Sequence, residues 1–189
     1  MKPWPFLRWL LLVGAVLTAL SACNPALNWR LVRFDDQADK LLLPCKPDQA
    51  ERQVDLGGVR SRLRMMGCEA QGLQFTWSRL DLPLEPAPAQ VLRAWQQASL
   101  LAMGADPAQA SRVRAWALAG ARVDVPPVQL QTTASSGTQA HFVWWVLGAQ
   151  AHQLAVYSER AAISPAIIQT LQEGIQLRSE EHTSELQSH

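Results

Sequence analysis

The sequence is poor in the residues that make chemistry easy to read. Its 189 residues include three cysteines and four histidines. It has no glycine-rich phosphate loop, no GxSxG nucleophile elbow and no HExxH zinc motif. Cys45 and Cys68, with no CxxC spacing and no nearby histidine, make neither a zinc site nor a redox-catalytic pair. Charge of one sign is also missing. Seventeen basic residues stand against sixteen acidic ones, and a net charge of +1 excludes bulk electrostatic binding of nucleic acid. The longest apolar run, Trp9 to Ala22, falls short of the roughly 20 residues a membrane-spanning helix needs. No cofactor and no metal are implied.

What is present is an ordinary globular composition. A hydrophobic fraction of 48% excludes disorder, and the length suffices for one domain with a sizeable core. The basic residues are nearly all arginine and alanine is abundant, as codon bias in a GC-rich genome produces without any functional demand.

Lys2 and Arg8 begin a positive segment, and Trp9 to Ala22 then fits the apolar region of a signal peptide. The four residues Leu20-Ser21-Ala22-Cys23 follow. This pattern resembles the lipobox of bacterial lipoproteins. The resemblance implies a diacylglyceryl group on the Cys23 sulfur, cleavage between Ala22 and Cys23, and acylation of the new amine. One acyl chain holds a protein only marginally, whereas two or more anchor it stably. Asn24 stands where an aspartate would favour inner-membrane retention in that family. The expected location is therefore the outer membrane, facing the periplasm, with the inner membrane as the alternative. At the other end, residues 178–189 (RSEEHTSELQSH) resemble a translated sequencing adapter and are set aside. The expected organisation is a signal peptide over 1–22, a tether over 23–28 and a single domain over 29–177. The tether residues 24–28 reach at most about 18 Å.

With Cys23 taken by lipid, Cys45 and Cys68 are expected to form one disulfide in an oxidising compartment. Alternation predicts strands over Trp29–Phe34, Gln53–Leu56, Val59–Met66 and Leu73–Leu80, the middle pair joined by Gly57-Gly58. Helical spacing of Val91, Trp95, Ala98 and Ala102 predicts a helix between Pro88 and Gly104. Asp106-Pro107 predicts a second helix start. Val113–Ala119 leans to strand, and Val123–Gln131 reads as an edge or bulged strand because of Pro126-Pro127. Thr138–Leu147 predicts a central strand, turned by Gly148-Ala149-Gln150 into Ala151–Tyr157. Ser164-Pro165 caps a last helix carrying Ile167, Ile168, Leu171 and Ile175. The fold expected is α+β, a mostly antiparallel sheet with two or three helices packed on it. This order loosely resembles bacterial lipoproteins with a PsbP/Mog1-like domain, a family feature set without a catalytic motif.

Candidate sites are few. His141 and His152 flank the predicted hairpin turn, with Leu147 or Val146 opposite His152 and Tyr157 or Ser158 opposite His141. An offset of about five residues, roughly 17 Å, keeps them from acting as a pair. Asp35, Asp36 and Asp39 lack the spacing and turning glycine of a calcium loop. Ser135 and Ser136 have no base placed for them. Arg60, Arg62 and Arg64 fall on one strand face, either as a contact surface for anionic lipid, glycolipid phosphate or an acidic protein, or as a solvated face. Trp77, Trp95, Trp116, Trp144 and Trp145 are placed to fill core, and Trp29 is placed to touch membrane or sheet. A cavity for an apolar ligand is the other reading, since both faces of Phe142–Leu147 need covering. The expected role is a membrane-anchored, non-enzymatic binding or assembly module with an envelope protein or glycolipid partner. A lipid carrier is the alternative, and a hydrolase with an unrecognised site comes last. Mass spectrometry of the mature chain should find an acylated Cys23 as its first residue. An unmodified thiol there, or another start site, removes the anchor and the compartment together.

Overall fold

The computed structural model describes residues 27–35, 38–122, 124–160 and 162–177. Cys23, Asp36 and residues 178–189 lie outside them. Strands β1 (Arg30–Val32) and β2 (Leu41–Leu43) form a small antiparallel sheet. Strands β3 (Asp48–Leu56), β4 (Val59–Ala70), β5 (Leu73–Asp81), β6 (Arg114–Ala115), β7 (Val128–Thr133), β8 (Gln139–Leu147) and β9 (Gln150–Ser158) form a seven-stranded sheet in the order β3-β4-β5-β9-β8-β7-β6. Every pairing is antiparallel. Helix α1 (Pro88–Ala102), a 3-10 helix (Pro107–Arg112) and helix α2 (Pro165–Glu173) complete a single α+β domain, as the sequence predicts.

Local chemistry explains the joints. Gly57 and Gly58 both have positive φ, which a two-residue hairpin loop requires, and Leu56 pairs with Val59 directly across it. Pro88 opens α1 and Gly104 closes it, with the Ala105 N–H donating back to the Leu100 carbonyl at 2.9 Å. Asp106 caps the 3-10 helix by accepting from the Ala108 N–H at 2.9 Å.

The large sheet is covered on both sides. On one face α1 and the 3-10 helix bury Leu56, Leu63, Leu80, Phe142, Trp144 and Val146. On the other, the β1–β2 sheet and α2 bury Phe75, Trp77, Val143, Trp145, Leu154 and Val156. Strand β8 is therefore apolar on both faces for a physical reason: it lies between two covering layers. Leu41 and Leu43 are 0% exposed, and burying such a side chain contributes about 1.5–3 kcal/mol. Those two leucines hold a three-residue strand in place. Gly174 ends α2 where the helix meets β2. A Cβ there would lie 2.4 Å from the Leu42 Cβ, so only glycine permits the approach.

Some boundaries differ from expectation. The Trp29–Phe34 segment contributes three strand residues, and to the small sheet rather than the large one. Of Val113–Ala119, Arg114 and Ala115 alone form strand. Pro126 and Pro127 lack the N–H a ladder needs, so β7 starts only at Val128, and β6 takes the edge.

Cys45 and Cys68 form a disulfide, with Cα atoms 5.9 Å apart. It ties the loop after β2 to β4 and so fastens the small sheet onto the large one. The cysteines are 23 residues apart in sequence, and closing such a loop stabilises the fold by about 3 kcal/mol in the chain-entropy model. Replacing both by serine should lower unfolding free energy in urea by about that amount. Hydrogen exchange should show β1 and β2 losing protection first.

Candidate functional site

Helix α1 covers only part of its face of the sheet. The helix packs on the β3–β4 hairpin, where Ala94 lies against Gly57 and Leu56 and Leu63 are buried. Toward the β4–β5 turn the face stays open, and a groove of about 1160 Å³ runs between helix and strands. Strand register sets its floor. One row across the sheet is Met65, Ser78 and Gln153; the next is Gly67, Thr76 and Ala155; the third is Glu69, Gln74 and Tyr157. The helix side presents Trp95, Ala98, Ser99, Ala102 and Met103, and β3 contributes Arg52 and Val54. The mouth at the β4–β5 turn carries Glu69, Gly72, Glu159 and Arg160.

Two polar groups fix helix to floor. The Gln153 Nε2 donates to the Ser99 Oγ at 2.7 Å, and Ser99 donates to the Trp95 carbonyl at 2.9 Å. Both residues are buried, so this chain of bonds holds α1 at one height over the strands. Burial pushes the Tyr157 hydroxyl up to about 12. Its ring meets Phe142 edge-on at 5.5 Å. Sequence reasoning missed Ser99 and Gln153. The signal was there: Ser99 sits one turn after Trp95 on the apolar stripe.

The opposite face carries the arginines. Period two does put Arg60, Arg62 and Arg64 on one side of β4, and register then places Glu51 opposite Arg64 and Arg79 beyond it. Arg62 pairs with Asp81 at 3.0 Å and approaches Glu51 at 3.9 Å, while Arg64 meets Glu51 at 3.4 Å. Arg60 is exposed and lies opposite Asp55. The stripe is thus interleaved with carboxylates rather than a free cationic patch. Exposed pairs of this kind contribute about 0–1 kcal/mol each.

Further along the same row the groups are buried. Arg79 is 1% exposed and sits over the Phe34 ring, its guanidinium carbon 5.0 Å from the centroid. His152 is opposite Arg79 on one side and Trp145 on the other. Its ring stacks on Trp145 at 5.1 Å and lies 6.1 Å from Trp77. Neither ring nitrogen has a hydrogen-bond partner among the described residues. Burial, with Arg79 adding to it, pushes the His152 imidazole down to about 3. Burial pushes His141 down to about 4.

The hairpin register corrects the expected histidine pairing. Leu147 pairs with Gln150, so Trp145 faces His152 and Val156 faces His141. The two histidines share a face and are offset by four residues, about 13 Å, still too far to share a ligand. Asp35 is exposed and Asp39 is buried. Among the described residues no three His, Cys, Asp or Glu side chains come together to hold a metal. Ser135 donates to the Gly104 carbonyl at 3.4 Å and Ser136 bonds Thr138 at 2.9 Å, both as loop residues. Trp77, Trp95, Trp144 and Trp145 are buried, and Trp29 and Trp116 are half-buried. Both faces of Phe142–Val146 are filled by core, so the groove lies not under that strand but beside β4 and β5.

No family model matches the chain, and no curated protein matches it either.

The two depressed histidines make stability depend on pH. An unfolded histidine takes up its proton near pH 6.5, and folded His152 does so only near pH 3. Between those values the unfolded chain binds more protons, so stability is full above pH 6.5 and falls as pH drops through that window. From pH 7 to pH 5 the loss from His152 should be about 2 kcal/mol, read by urea unfolding. His152→Phe, which keeps the stack on Trp145, should remove that share of the slope.

Proposed function

We propose that this chain is a lipid-anchored module of a bacterial envelope that binds a partner in the groove beneath α1 and carries out no chemistry itself. The groove is the observation that carries this reading. It is large enough for a ligand, half open, and braced by the Ser99–Gln153 bond. The buried histidines, held neutral and apart, suit a core better than a catalytic pair.

Chain geometry adds to it. The Asn28 N–H donates to the Pro44 carbonyl at 2.8 Å, and Cys45, the next residue, is bonded to Cys68. The chain therefore enters the domain at the end of the sheet where Glu69 and Gly72 form the groove mouth. With Cys23 acylated, the short tether would keep that mouth beside the bilayer. Arg60 lies eight residues before Cys68 on β4, about 27 Å away.

The lipid-carrier reading rests on Val54, Met65, Ala102 and Met103 in the walls. It ranks second because an acyl chain offers nothing to Gln74, Thr76 or Ser78. Leaving a buried polar group without a partner costs about 1–3 kcal/mol.

The test is photocrosslinking in intact cells, with a photoreactive residue placed at exposed position Gln74 in the groove, at Arg60, or at Gln169 on α2. Adducts are expected from position 74, and these should disappear when Ala98→Trp narrows the groove. Position 74 yielding no more adduct than position 169 overturns the proposal. Adducts concentrated at position 60 return the arginine face to first place.

A further inference from the structure

We propose that the groove takes an extended peptide of about six residues, lying along β5 with a basic side chain toward Glu69 and Glu159 and an acidic one toward Arg52. This rests on the groove being the binding site and adds the class of its occupant. Four features of the lining converge on it.

The first is length. The floor runs along β4 from Leu63 to Glu69, about 20 Å at about 3.3 Å per residue. That is the span of six extended residues. The second is pitch. Gln74 and Thr76 point into the groove from alternate positions of β5, with buried Ser78 continuing the row beneath α1, so the accessible hydrogen-bonding groups are spaced two residues apart, about 6.7 Å. An extended peptide presents backbone N–H and C=O groups toward one side at the same repeat. An acyl chain presents none. A sugar ring needs an aromatic face, and Trp95, 5% exposed, is turned into the core while Tyr157 packs edge-on to Phe142.

The third is the pair of apolar walls. Val54 and Met65 stand on one side, and Ala98, Ala102 and Met103 on the other. Small and methionine side chains accept different guests, as slots for alternate peptide residues should. The fourth is charge. The mouth sets two carboxylates, Glu69 and Glu159, against one guanidinium, Arg160. At the far end Arg52 faces the groove, while Asp55, three residues on, turns to the other face opposite Arg60, its carboxylate accepting from the Gly58 N–H at 2.9 Å. A peptide with opposite charges at its two ends fits one way round. The open edge of β3 is a poorer site for the same peptide, because Asp48, Glu51, Arg52 and Asp55 crowd charge into nine residues, a pattern that discourages strand addition.

The experiment is selection of a random heptapeptide display library on the full chain in detergent micelles, followed by Kd measurement of the enriched peptides. The expected result is alternating apolar and polar residues with a basic residue near one end and an acidic one near the other. Ala98→Trp should weaken them at least tenfold, and Gln169→Trp on the opposite layer should leave them unchanged. An intact Cys45–Cys68 disulfide and an unaltered Tm show that the first variant is folded. Arg52→Glu, on an exposed strand where folding is not at risk, should reverse the charge preferred at that end. Peptides indifferent to both groove variants overturn the inference, as does a library that enriches nothing. Cellular adducts at position 74 that carry lipid or glycan mass overturn the peptide while leaving a binding groove. Absence of any adduct there removes the groove reading itself.

Discussion

The structure depends on one constraint: a sheet that is apolar on both faces must be covered on both faces. Strands β5 and β8 carry Leu80, Phe142 and Trp144 toward α1, and Phe75, Trp77 and Trp145 toward the small sheet. The chain supplies one long helix for the first side and two short strands with a short helix for the second. That is enough for the middle of the sheet and not for the strand ends beyond it. What lies past the covering layers must tolerate water. On one face the result is the groove, with Thr76, Gln74 and Glu69 on its floor. On the other it is the solvated lattice of Glu51, Arg62 and Asp81. The candidate site and the arginine stripe are two consequences of incomplete cover, toward opposite ends of β4, since Glu69 lies seven residues from Arg62.

Where that polar lattice runs under the covering layer, it becomes costly. Arg79 continues the row and is buried against Phe34, and His152 follows it, stacked on Trp145. A buried cation loses several kcal/mol of hydration before its contacts return any. A ring over the guanidinium returns part of this, about 2 kcal/mol when the pair is desolvated. The imidazole avoids the charge altogether by remaining neutral. An apolar row here would be simpler and more stable in acid. Its polar character is a feature of the core for which packing gives no reason.

Much of this was legible in the sequence, and the limits are physical. Phe142–Leu147 announced a strand buried on both sides because six apolar residues in succession leave no face for water. Gly57-Gly58, Pro88 and Gly104 announced their joints because each supplies a backbone conformation that other residues resist. Arg79 was legible too. It continues the inward row of Leu73, Phe75 and Trp77, and period two places it inside however charged it is. Other features were closed to such reading. A three-residue strand has no period, so β1 gave no sign that it would leave the main sheet. The ion pairs of Arg62 and Arg64 depend on the register of two hairpins, and a shift of one residue would have turned Glu51 to the other face. The groove depends on where α1 stops across the sheet, which is set by the Ser99–Gln153 bond between residues 54 apart in sequence.

An open groove with a polar floor binds weakly by its nature. Its hydrogen bonds replace bonds to water, and each such exchange contributes only about 0.5–1.5 kcal/mol. In free solution that would serve poorly. With the anchor proposed above, attachment to a bilayer by a tether of about 18 Å would change the comparison, because a partner held in or near the same membrane would meet the groove at an effective concentration that short tethers raise to about the millimolar range. Micromolar affinity would then give near-complete occupancy. The proposed anchor and the groove would in this sense be one device: proximity would supply the encounter, and the Ser99-braced floor and its charged ends the discrimination.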